Sequence, residues 1–440
     1  MKQVLVLGAG LVARPLVRYL LDSGDIHVKI ATRTVSKAER LIAGHANGSS
    51  EQLNVENEDA LQKVIGQADL VISLLPWIHH MKVARLCLQL NKHMVTTSYV
   101  KPEMKALHEE AQKKGLLFLN EIGVDPGIDH MAAMRVIDGV KDNGGKITRF
   151  RSYCGGLPAL QNNNNPLGYK FSWSPVGVML AANNDGRYQE DNRVIEVSGE
   201  HLFEHYWLVD VPGAGTFEAY VNRDALIYKD LYSLQDAQTI YRGTLRNISH
   251  CESWNYFKTI GLLNQEMQFD FDQQTPAQVM AALVKGQPQT VMEDTARFLQ
   301  IPVYAIAIKK LQWLGLFSDE KLPLGKASVF DMFAHILENK LVYHPGEIDL
   351  LVQHHEFEAE YDGGKREHIT STMVDTGIPH GESSMSRTVS LPAAIATRLI
   401  LEGKIDLTGV WIPVHPAIYK PVLDELETMD IKLTEQAKPL

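Results

Sequence analysis

The chain has 440 residues, of which 45% are hydrophobic and 22% charged, a composition typical of a globular protein. So long a chain rarely folds around one core, so we expect two or three domains. A formal net charge of −10 argues against a nucleic-acid partner, and no apolar run reaches the roughly 18 residues that a membrane span needs. Three scattered cysteines and a first segment without a leader pattern predict a cytoplasmic protein without disulfides.

The first third of the chain alternates between strand-like and helical patterns. An apolar run over residues 4–7 leads into Gly8-Ala9-Gly10-Leu11-Val12-Ala13, and a helical pattern follows. This matches G-x-G-x-x-G/A, in which Gly8 makes the turn, Gly10 lets the backbone approach a pyrophosphate and Ala13 packs helix on strand. The alternative is a tight strand–helix turn that carries the same motif and binds no ligand. The alternation favours a nucleotide site, because further strand-like runs lie at residues 27–31, 70–74, 93–96 and 116–119. We therefore predict an α/β fold with a Rossmann-type, doubly wound parallel sheet.

The end of the second strand indicates which dinucleotide is bound. NAD-binding proteins usually carry an Asp or Glu there to bind the ribose, whereas this chain has Thr32, Arg33 and Thr34. A guanidinium and two hydroxyls suit a 2′-phosphate, so we predict NADP(H). The alternative is a solvated surface arginine.

Chemically active residues follow the later strands of this sheet. Ligands bind at the carboxyl ends of parallel strands, so the segments after the fourth, fifth and sixth strands are candidates. They contain Leu75, Ser98, Tyr99, Val124 and Asp125. Asp125 precedes Pro126-Gly127 and a helix predicted from about residue 128, so it is either a turn residue or a functional acid. We favour the functional acid.

Two histidine pairs occur, and neither predicts a metal site. The side chains of adjacent histidines, as in His79-His80 and His354-His355, point in different directions, and no carboxylate or cysteine nearby completes a ligand set. The second pair is better explained by a strand through HHEFEAEYD.

Ten segments in order along the chain resemble the saccharopine reductase family, the glutamate-forming saccharopine dehydrogenases of lysine metabolism. The segments are GAGLVARP, ATRT, VISLLPW, VTTSYV, NEIGVDPGIDH, SYCGGLP, NPLGYKFSW, NRD, TIYRGTLR and ITSTMVDTG. The resemblance implies an NADP-dependent oxidoreductase acting on CH–NH donors. Its substrates would be saccharopine in one direction, and glutamate plus 2-aminoadipate 6-semialdehyde in the other. This chain departs from the family where it reads FSWSPVG, with Pro175 and Val176 in place of the usual serine and arginine.

The resemblance also implies three domains and a homodimer. Residues 1–126 with 391–440 would form the Rossmann domain, and residues 127–261 with 342–390 a substrate-binding and dimerisation domain. Residues 262–341 would form a helical insert, and the sequence itself has a helical pattern over residues 275–341.

The remaining candidate residues lie in the second domain. Cys154 would sit at a strand end, with Gly155-Gly156 letting backbone approach a ligand, although most lone cysteines are small core residues. The resemblance implies proton handling by Asp125, Tyr99 and Cys154. Arg223 and Arg246 would hold substrate carboxylates, unless they form ordinary surface ion pairs. The same resemblance adds to the substrate site Ser98, Trp173, Thr244 and Leu245, and to the cofactor site Ser98, Asp125 and Ser174.

Two other functions are compatible with this sequence. One is a carboxynorspermidine dehydrogenase-like reductase of the same architecture, whose polycationic substrate would call for an acidic lining. The other is a non-catalytic NADP-binding protein, which would bind the cofactor without turnover.

Overall fold

The computed structural model describes the whole chain, Met1–Leu440. It contains two compact units, the first made of Met1–Arg149, Asp230–Asp236 and Gln353–Leu440, and the second of Phe150–Lys229 and Ala237–Val352. These limits differ from the predicted domain limits, because the helix Ile128–Asp142 belongs to the first unit.

Strands and helices alternate over the first third of the chain, as the sequence predicts. The strands are β1 (Lys2–Leu7), β2 (Ile26–Thr32), β3 (Gly48–Gln52), β4 (Leu70–Ser73), β5 (His93–Val95), β6 (Leu117–Leu119), β7 (Gly145–Pro158), β8 (Gly186–Glu190), β9 (Arg193–Val197), β10 (Tyr206–Val211), β11 (Gly215–Val221), β12 (Thr239–Arg246), β13 (Gln268–Asp270), β14 (Lys326–Ser328), β15 (Asp349–Tyr361), β16 (Arg366–Thr376), β17 (Gly409–Trp411) and β18 (Thr434–Pro439). The helices are α1 (Ala13–Asp22), α2 (Val35–Ile42), α3 (Glu58–Gly66), α4 (His80–Gln89), α5 (Pro102–Lys105), α6 (His108–Lys113), α7 (Ile128–Asp142), α8 (Pro175–Ala181), α9 (Ile227–Leu231), α10 (His250–Ile260), α11 (Pro276–Val284), α12 (Val291–Phe298), α13 (Ile306–Leu314), α14 (Val329–Lys340), α15 (Ser384–Leu401) and α16 (Pro416–Thr428).

The predicted parallel sheet is confirmed in the first unit. Its strand order is β17-β6-β5-β4-β1-β2-β3, and every neighbouring pair is parallel. The apolar runs bury as expected: the side chains of β1 from Val4 to Leu7 are at most 1% exposed. The chain order reverses between β1 and β4, and in doubly wound sheets the crevice at such a reversal binds ligands. Only β3, whose sequence is GSSEQ, has no apolar pattern to predict it.

The second sheet has nine strands. Its main order is β10-β11-β12-β7-β15-β16-β18, and β8 and β9 extend it beside β12. The strand expected through HHEFEAEYD is present as the second half of β15. The last strand, β18, pairs with β16 of this sheet, not with the parallel sheet.

The helical pattern over residues 275–341 is confirmed in the second unit by α11 to α14. Capping boxes start two of these helices, Thr275 with Gln278 at α11 and Ser328 with Asp331 at α14. No helix of the chain combines the length and the apolarity that crossing a membrane requires.

Candidate active site

The turn after β1 has the geometry of a dinucleotide-binding turn. Gly8 has a φ of 108°, and a Cβ there would lie 3.1 Å from the carbonyl oxygen of Leu74. A Cβ on Gly10 would meet nothing within 4 Å, so the backbone of Gly10 borders open space. The helix that follows begins at Ala13, which is fully buried, with no capping side chain and no acidic residue in its first turn. The first-turn N–H groups therefore suit a pyrophosphate.

The residues predicted to select NADP lie on the surface at the end of β2. Arg33 and Thr34 are exposed, and Thr32 is partly buried. No ion pair neutralises Arg33, so its guanidinium is available to a phosphate group. The neighbouring candidate Leu11 is 74% exposed and Val12 partly buried. The remaining cofactor candidates of this unit follow later strands: Leu75 is partly buried and Val124 is buried.

The structure brings Tyr99 and Asp125 together. The Tyr99 hydroxyl donates a hydrogen bond of 3.1 Å to Oδ1 of Asp125, and both side chains are partly buried. They follow the adjacent strands β5 and β6. A cavity of about 410 Å³ adjoins Tyr99 and is lined also by Trp77, Lys101 and Asn120. The Lys101 ammonium lies 4.8 Å from the Trp77 ring centroid, which gives this cavity a cation.

A buried carboxylate that the sequence analysis missed supports this pair. Glu121, 4% exposed, bonds the backbone on both sides of Tyr99: its Oε1 accepts from the following N–H (2.8 Å), and its own N–H donates to the preceding carbonyl (3.1 Å). Its Oε2 accepts from His130 Nε2 at 2.7 Å, and His130 Nδ1 lies 2.7 Å from the Tyr232 hydroxyl. The carboxylate thus fixes the backbone on which Tyr99 stands. Nothing in the local pattern around Glu121 predicts its burial.

The two residues of the His79-His80 pair have different surroundings. His79 Nδ1 lies 3.3 Å from a carboxylate oxygen of Glu56, whereas the buried His80 lies between the hydroxyls of Ser73 (2.9 Å) and Ser98 (2.8 Å). Burial, with a smaller contribution from His79, lowers the pKa of His80 to about 4. From the sequence, His80 was considered only as a metal ligand, and its contact with the two serines was not predicted. No group of three or more His, Cys, Asp or Glu side chains in the chain is arranged to hold a metal ion.

In the second unit, Arg246 is a buried cation with an unsatisfied donor. It is 6% exposed, its Nη1 donates to the carbonyl of Leu245 (2.8 Å), and its buried Nε has no hydrogen-bond partner. Its guanidinium lies 5.0 Å from the ring centroid of Tyr169. Burial lowers the pKa of His250 well below its usual range, and Arg246 acts in the same direction. A buried guanidinium with an unpaired donor suits an anionic ligand.

The acidic residue opposite Arg246 in the sheet, Glu218, bonds backbone N–H groups. Glu218 pairs in register with Arg246 across β11 and β12, but its carboxylate accepts the N–H groups of Ser249 (2.6 Å) and Cys251 (2.8 Å) at the start of α10. The buried ammonium of Lys310 bonds the carbonyl and hydroxyl of the same Ser249. These contacts, which the sequence analysis also missed, fix the segment after Arg246.

The expectation that Cys154 lies at a strand end is wrong. Cys154 lies inside β7 and is 8% exposed. Gly155 was expected to let the backbone approach a ligand, but the structure shows another reason for a glycine. A Cβ at this position would lie 2.6 Å from the carbonyl oxygen of Leu245. The glycine is thus required by the close approach of β12. Leu245 itself is fully buried and Thr244 partly so.

The other candidates of the second unit lie nearer the surface. Trp173 is 37% exposed, and the exposed Ser174 caps α8 by accepting from the N–H of Gly177 (3.2 Å). Arg223 is exposed, with a φ of 58°, and Val176 is 41% exposed.

Four consecutive asparagines, Asn162–Asn165, precede this segment, and three of them make hydrogen bonds within the protein. Asn164 donates to Glu347 (2.8 Å), Asn165 donates to the carbonyl of Tyr169 (2.9 Å), and Asn162 accepts from the N–H of Ile348 (3.0 Å). Asn162 and Asn164 thus tie the loop to the chain after α14, and Asn165 bonds within the loop.

Two family models match the chain in succession. Residues 4–119 match the saccharopine dehydrogenase NADP binding domain, and residues 123–431 match the saccharopine dehydrogenase C-terminal domain. The chain belongs to the saccharopine dehydrogenase family. Among the members of this family, the "saccharopine dehydrogenase [NADP(+), L-glutamate-forming]" of Schizosaccharomyces pombe is 38% identical over 99% of both chains.

Relatives and solved structures of the saccharopine dehydrogenase family agree with this assignment. The Saccharomyces cerevisiae protein of the same name is 38% identical over 97% of both chains. The mitochondrial alpha-aminoadipic semialdehyde synthase of Rattus norvegicus is 34% identical over 99% of this chain and 48% of its own length. The structure of apo saccharopine dehydrogenase (L-Glu forming) from Saccharomyces cerevisiae superposes with a TM-score of 0.90 at 36% identity, covering 100% of both chains. The predicted family and fold class are therefore confirmed.

Proposed function

We propose that this protein is an NADP-dependent oxidoreductase that interconverts saccharopine with glutamate and 2-aminoadipate 6-semialdehyde in lysine metabolism. Full-length similarity to L-glutamate-forming saccharopine dehydrogenases supports the reaction. The structural observation that carries the proposal is the Tyr99–Asp125 hydrogen bond at the edge of the nucleotide-binding sheet, because the reaction needs groups that exchange protons there.

The reaction oxidises a secondary amine and then hydrolyses the product. NADP supplies the hydride acceptor when it is bound. The carbon on the lysine side of the amine loses a hydride and the nitrogen loses a proton, which leaves an imine. Water adds to the imine, and cleavage of the carbon–nitrogen bond releases glutamate and the semialdehyde. One saccharopine, one oxidised cofactor and one water give the two products, the reduced cofactor and one proton.

The first unit is suited to hold the cofactor. Gly8, Gly10 and the first turn of α1 would receive the pyrophosphate, with Leu11, Val12 and Ala13 in the same turn. Arg33, flanked by Thr32 and Thr34, would bind the 2′-phosphate, because it is exposed and makes no ion pair. We assign further cofactor contacts to Leu75, Ser98, Val124 and Asp125 of this unit, and the family resemblance adds Ser174 of the second unit.

We assign proton transfer to Asp125 and Tyr99. The Asp125 carboxylate accepts a proton from the amine nitrogen and releases it to solvent. It then takes a proton from the attacking water and passes it to the departing nitrogen, while the Tyr99 hydroxyl holds the carboxylate in place. Cys154 has an auxiliary role near the substrate. It is not assigned as a covalent nucleophile, because the reaction needs none.

We assign the substrate carboxylates to Arg246 and Arg223. The unpaired Nε of Arg246 supports this role, since a carboxylate would satisfy it and neutralise a buried charge. Arg223, which is exposed, would bind a second carboxylate. Ser98, Trp173, Thr244 and Leu245 complete the proposed substrate contacts.

We further propose a cytoplasmic homodimer. The strand β10 lies at an edge of the second sheet, and its Leu208 is 60% exposed, so pairing with a second copy would cover both an edge and an apolar side chain. We also propose three functional domains. Residues 1–126 with 391–440 would bind the cofactor, residues 127–261 with 342–390 would bind the substrate and form the dimer, and residues 262–341 would form the helical insert.

The proposal is tested by following NADPH absorbance with three samples in parallel: saccharopine plus NADP, carboxynorspermidine plus NADP, and NADP alone. We expect reduction of NADP only with saccharopine. Faster turnover of carboxynorspermidine would assign the protein to polyamine metabolism. Tight NADP binding without turnover of either substrate would identify a non-catalytic binding protein.

A further inference from the structure

His80, which the proposed mechanism does not use, links two serine hydroxyls at the edge of the nucleotide-binding sheet. Its Nδ1 lies 2.9 Å from Oγ of Ser73, the last residue of β4, and its Nε2 lies 2.8 Å from Oγ of Ser98. His80 is 6% exposed, and it begins α4. Ser98 is partly buried, beside the Tyr99 that bonds Asp125.

The neighbouring hydroxyl of Thr96 decides which nitrogen of His80 carries the hydrogen. Thr96 Oγ1 donates its only hydrogen to the carbonyl oxygen of Ser73 at 2.9 Å. Towards His80 Nε2, 3.4 Å away, Thr96 can therefore only accept. The burial that lowers the pKa of His80 to about 4 makes its ring neutral at pH 7, with one donor and one acceptor nitrogen. Nε2 is thus the donor, and Nδ1 accepts from the Ser73 hydroxyl.

This arrangement determines the role of the Ser98 hydroxyl. Because Nε2 donates to Ser98 Oγ, the hydrogen of Ser98 is not used by His80 and points elsewhere. Ser98 is accessible at the edge where parallel sheets bind their ligands. A neutral serine whose lone pair is engaged by a fixed donor is oriented to donate its own hydrogen to a ligand.

We propose that His80 is a positioning residue that holds the Ser98 hydroxyl as a hydrogen-bond donor to an acceptor oxygen of the bound ligand. The oxygen belongs either to a carboxylate of the substrate or to the dinucleotide. The inference rests on the proposed function for the identity of these ligands.

A double-mutant cycle tests the proposal. His80→Leu keeps the side-chain volume but removes both hydrogen bonds, and Ser98→Ala removes the hydroxyl. We expect each single variant to lower kcat/KM for saccharopine roughly 3- to 10-fold, and the double variant to be no worse than Ser98→Ala, because His80 acts through Ser98. His80→Gln should retain most of the activity, since its amide offers a donor and an acceptor at a spacing similar to the ring nitrogens. His79→Gln, a substitution of the neighbouring residue, should leave kcat/KM unchanged. If His80→Leu does not fold, His80→Asn, which is too short to reach Ser98, replaces it in the cycle.

The source of the oxygen follows from two readouts on the same variants. A raised KM for saccharopine with unchanged NADPH affinity, measured by nicotinamide fluorescence, assigns the oxygen to the substrate. Weakened NADPH binding assigns it to the dinucleotide. The proposal is overturned if Ser98→Ala has normal kinetics and NADPH affinity, or if His80→Leu has the same effect with and without Ser98. An unaltered enzyme that does not oxidise saccharopine would contradict the proposed function instead, and the NADPH-affinity cycle would still test His80.

Discussion

The Tyr99 hydroxyl donates a hydrogen bond to Oδ1 of Asp125 across 3.1 Å, although 26 residues separate them in the chain. They meet because β5 and β6 are adjacent and parallel, so the segments that follow them emerge at the same edge of the sheet. The pair thus joins an acid and a hydroxyl where a dinucleotide would present its reactive end.

Asp125→Asn should lower kcat about 100-fold or more, because the amide keeps the size of the side chain but cannot accept a proton. The melting temperature should stay close to that of the unaltered protein, since Asp125 is partly exposed. Tyr99→Phe should have a smaller effect on kcat, because it removes only the donor that orients the carboxylate. Turnover of Asp125→Asn at the normal rate would show that Asp125 only turns the chain.

Arg33→Asp should raise the KM for NADP about tenfold or more while changing the KM for NAD far less, because only NADP carries the 2′-phosphate. Arg33 makes no ion pair, so folding should be unaffected. Arg40→Asp, which makes the same charge change at the last turn of α2, is the control and should preserve the preference. Equal kinetics with NADP and NAD in the unaltered enzyme would contradict this prediction.

Arg246→Leu should lower kcat/KM for saccharopine by roughly one to two decades, because a charge-assisted hydrogen bond to a carboxylate is lost. Arg246→Lys should recover little, since lysine keeps the charge but not the planar fork. Arg223→Ala should also lower kcat/KM for saccharopine, but by a smaller factor, because Arg223 is exposed. NADPH affinity, measured alongside, should not change. Normal efficiency in both the Arg246 and Arg223 variants would rule out these carboxylate contacts.

His80 should make the protein less stable in mild acid. Its pKa is about 4 in the folded protein and near 6.5 when unfolded, so the unfolded state binds more protons between these values. The free energy of unfolding should therefore fall as the pH drops from about 6.5 to about 4, by about 3 kcal/mol. The free energy of unfolding in urea is measured at pH 7 and pH 4.5 for the unaltered protein and for His80→Gln. The difference between the two losses is the contribution of His80, because His250 and the other buried groups titrate in both proteins. Identical losses in the two proteins would contradict the assignment.

Light scattering at micromolar concentration should give a mass about twice the 49.2 kDa of the chain, since we propose a homodimer. Leu208→Lys should shift the mass towards the monomer by placing a charge on the exposed edge of β10. Leu160→Lys, at a leucine 88% exposed and outside β10, is the matched control. A monomer at these concentrations in the unaltered protein would contradict the dimer.

The sequence by itself determined the features that depend on short-range order. The strand–glycine–helix segment at Gly8 to Ala13, the absence of an acid at residues 32–34 and the alternation of strands and helices all follow from local patterns. The meeting of Tyr99 with Asp125 also follows, because parallel strands bring their carboxyl ends to one edge.

Only the tertiary structure decided which groups are buried together and what neighbours they have. It placed Cys154 inside a strand, assigned Gly155 to the close approach of Leu245, and joined β18 to β16 far from it in sequence. It also put His80 between two serines and Glu121 behind Tyr99. Pairing between strands and burial of a polar side chain are set by residues distant along the chain. The local pattern around a histidine therefore does not reveal whether its nitrogens face a metal, solvent or a serine hydroxyl.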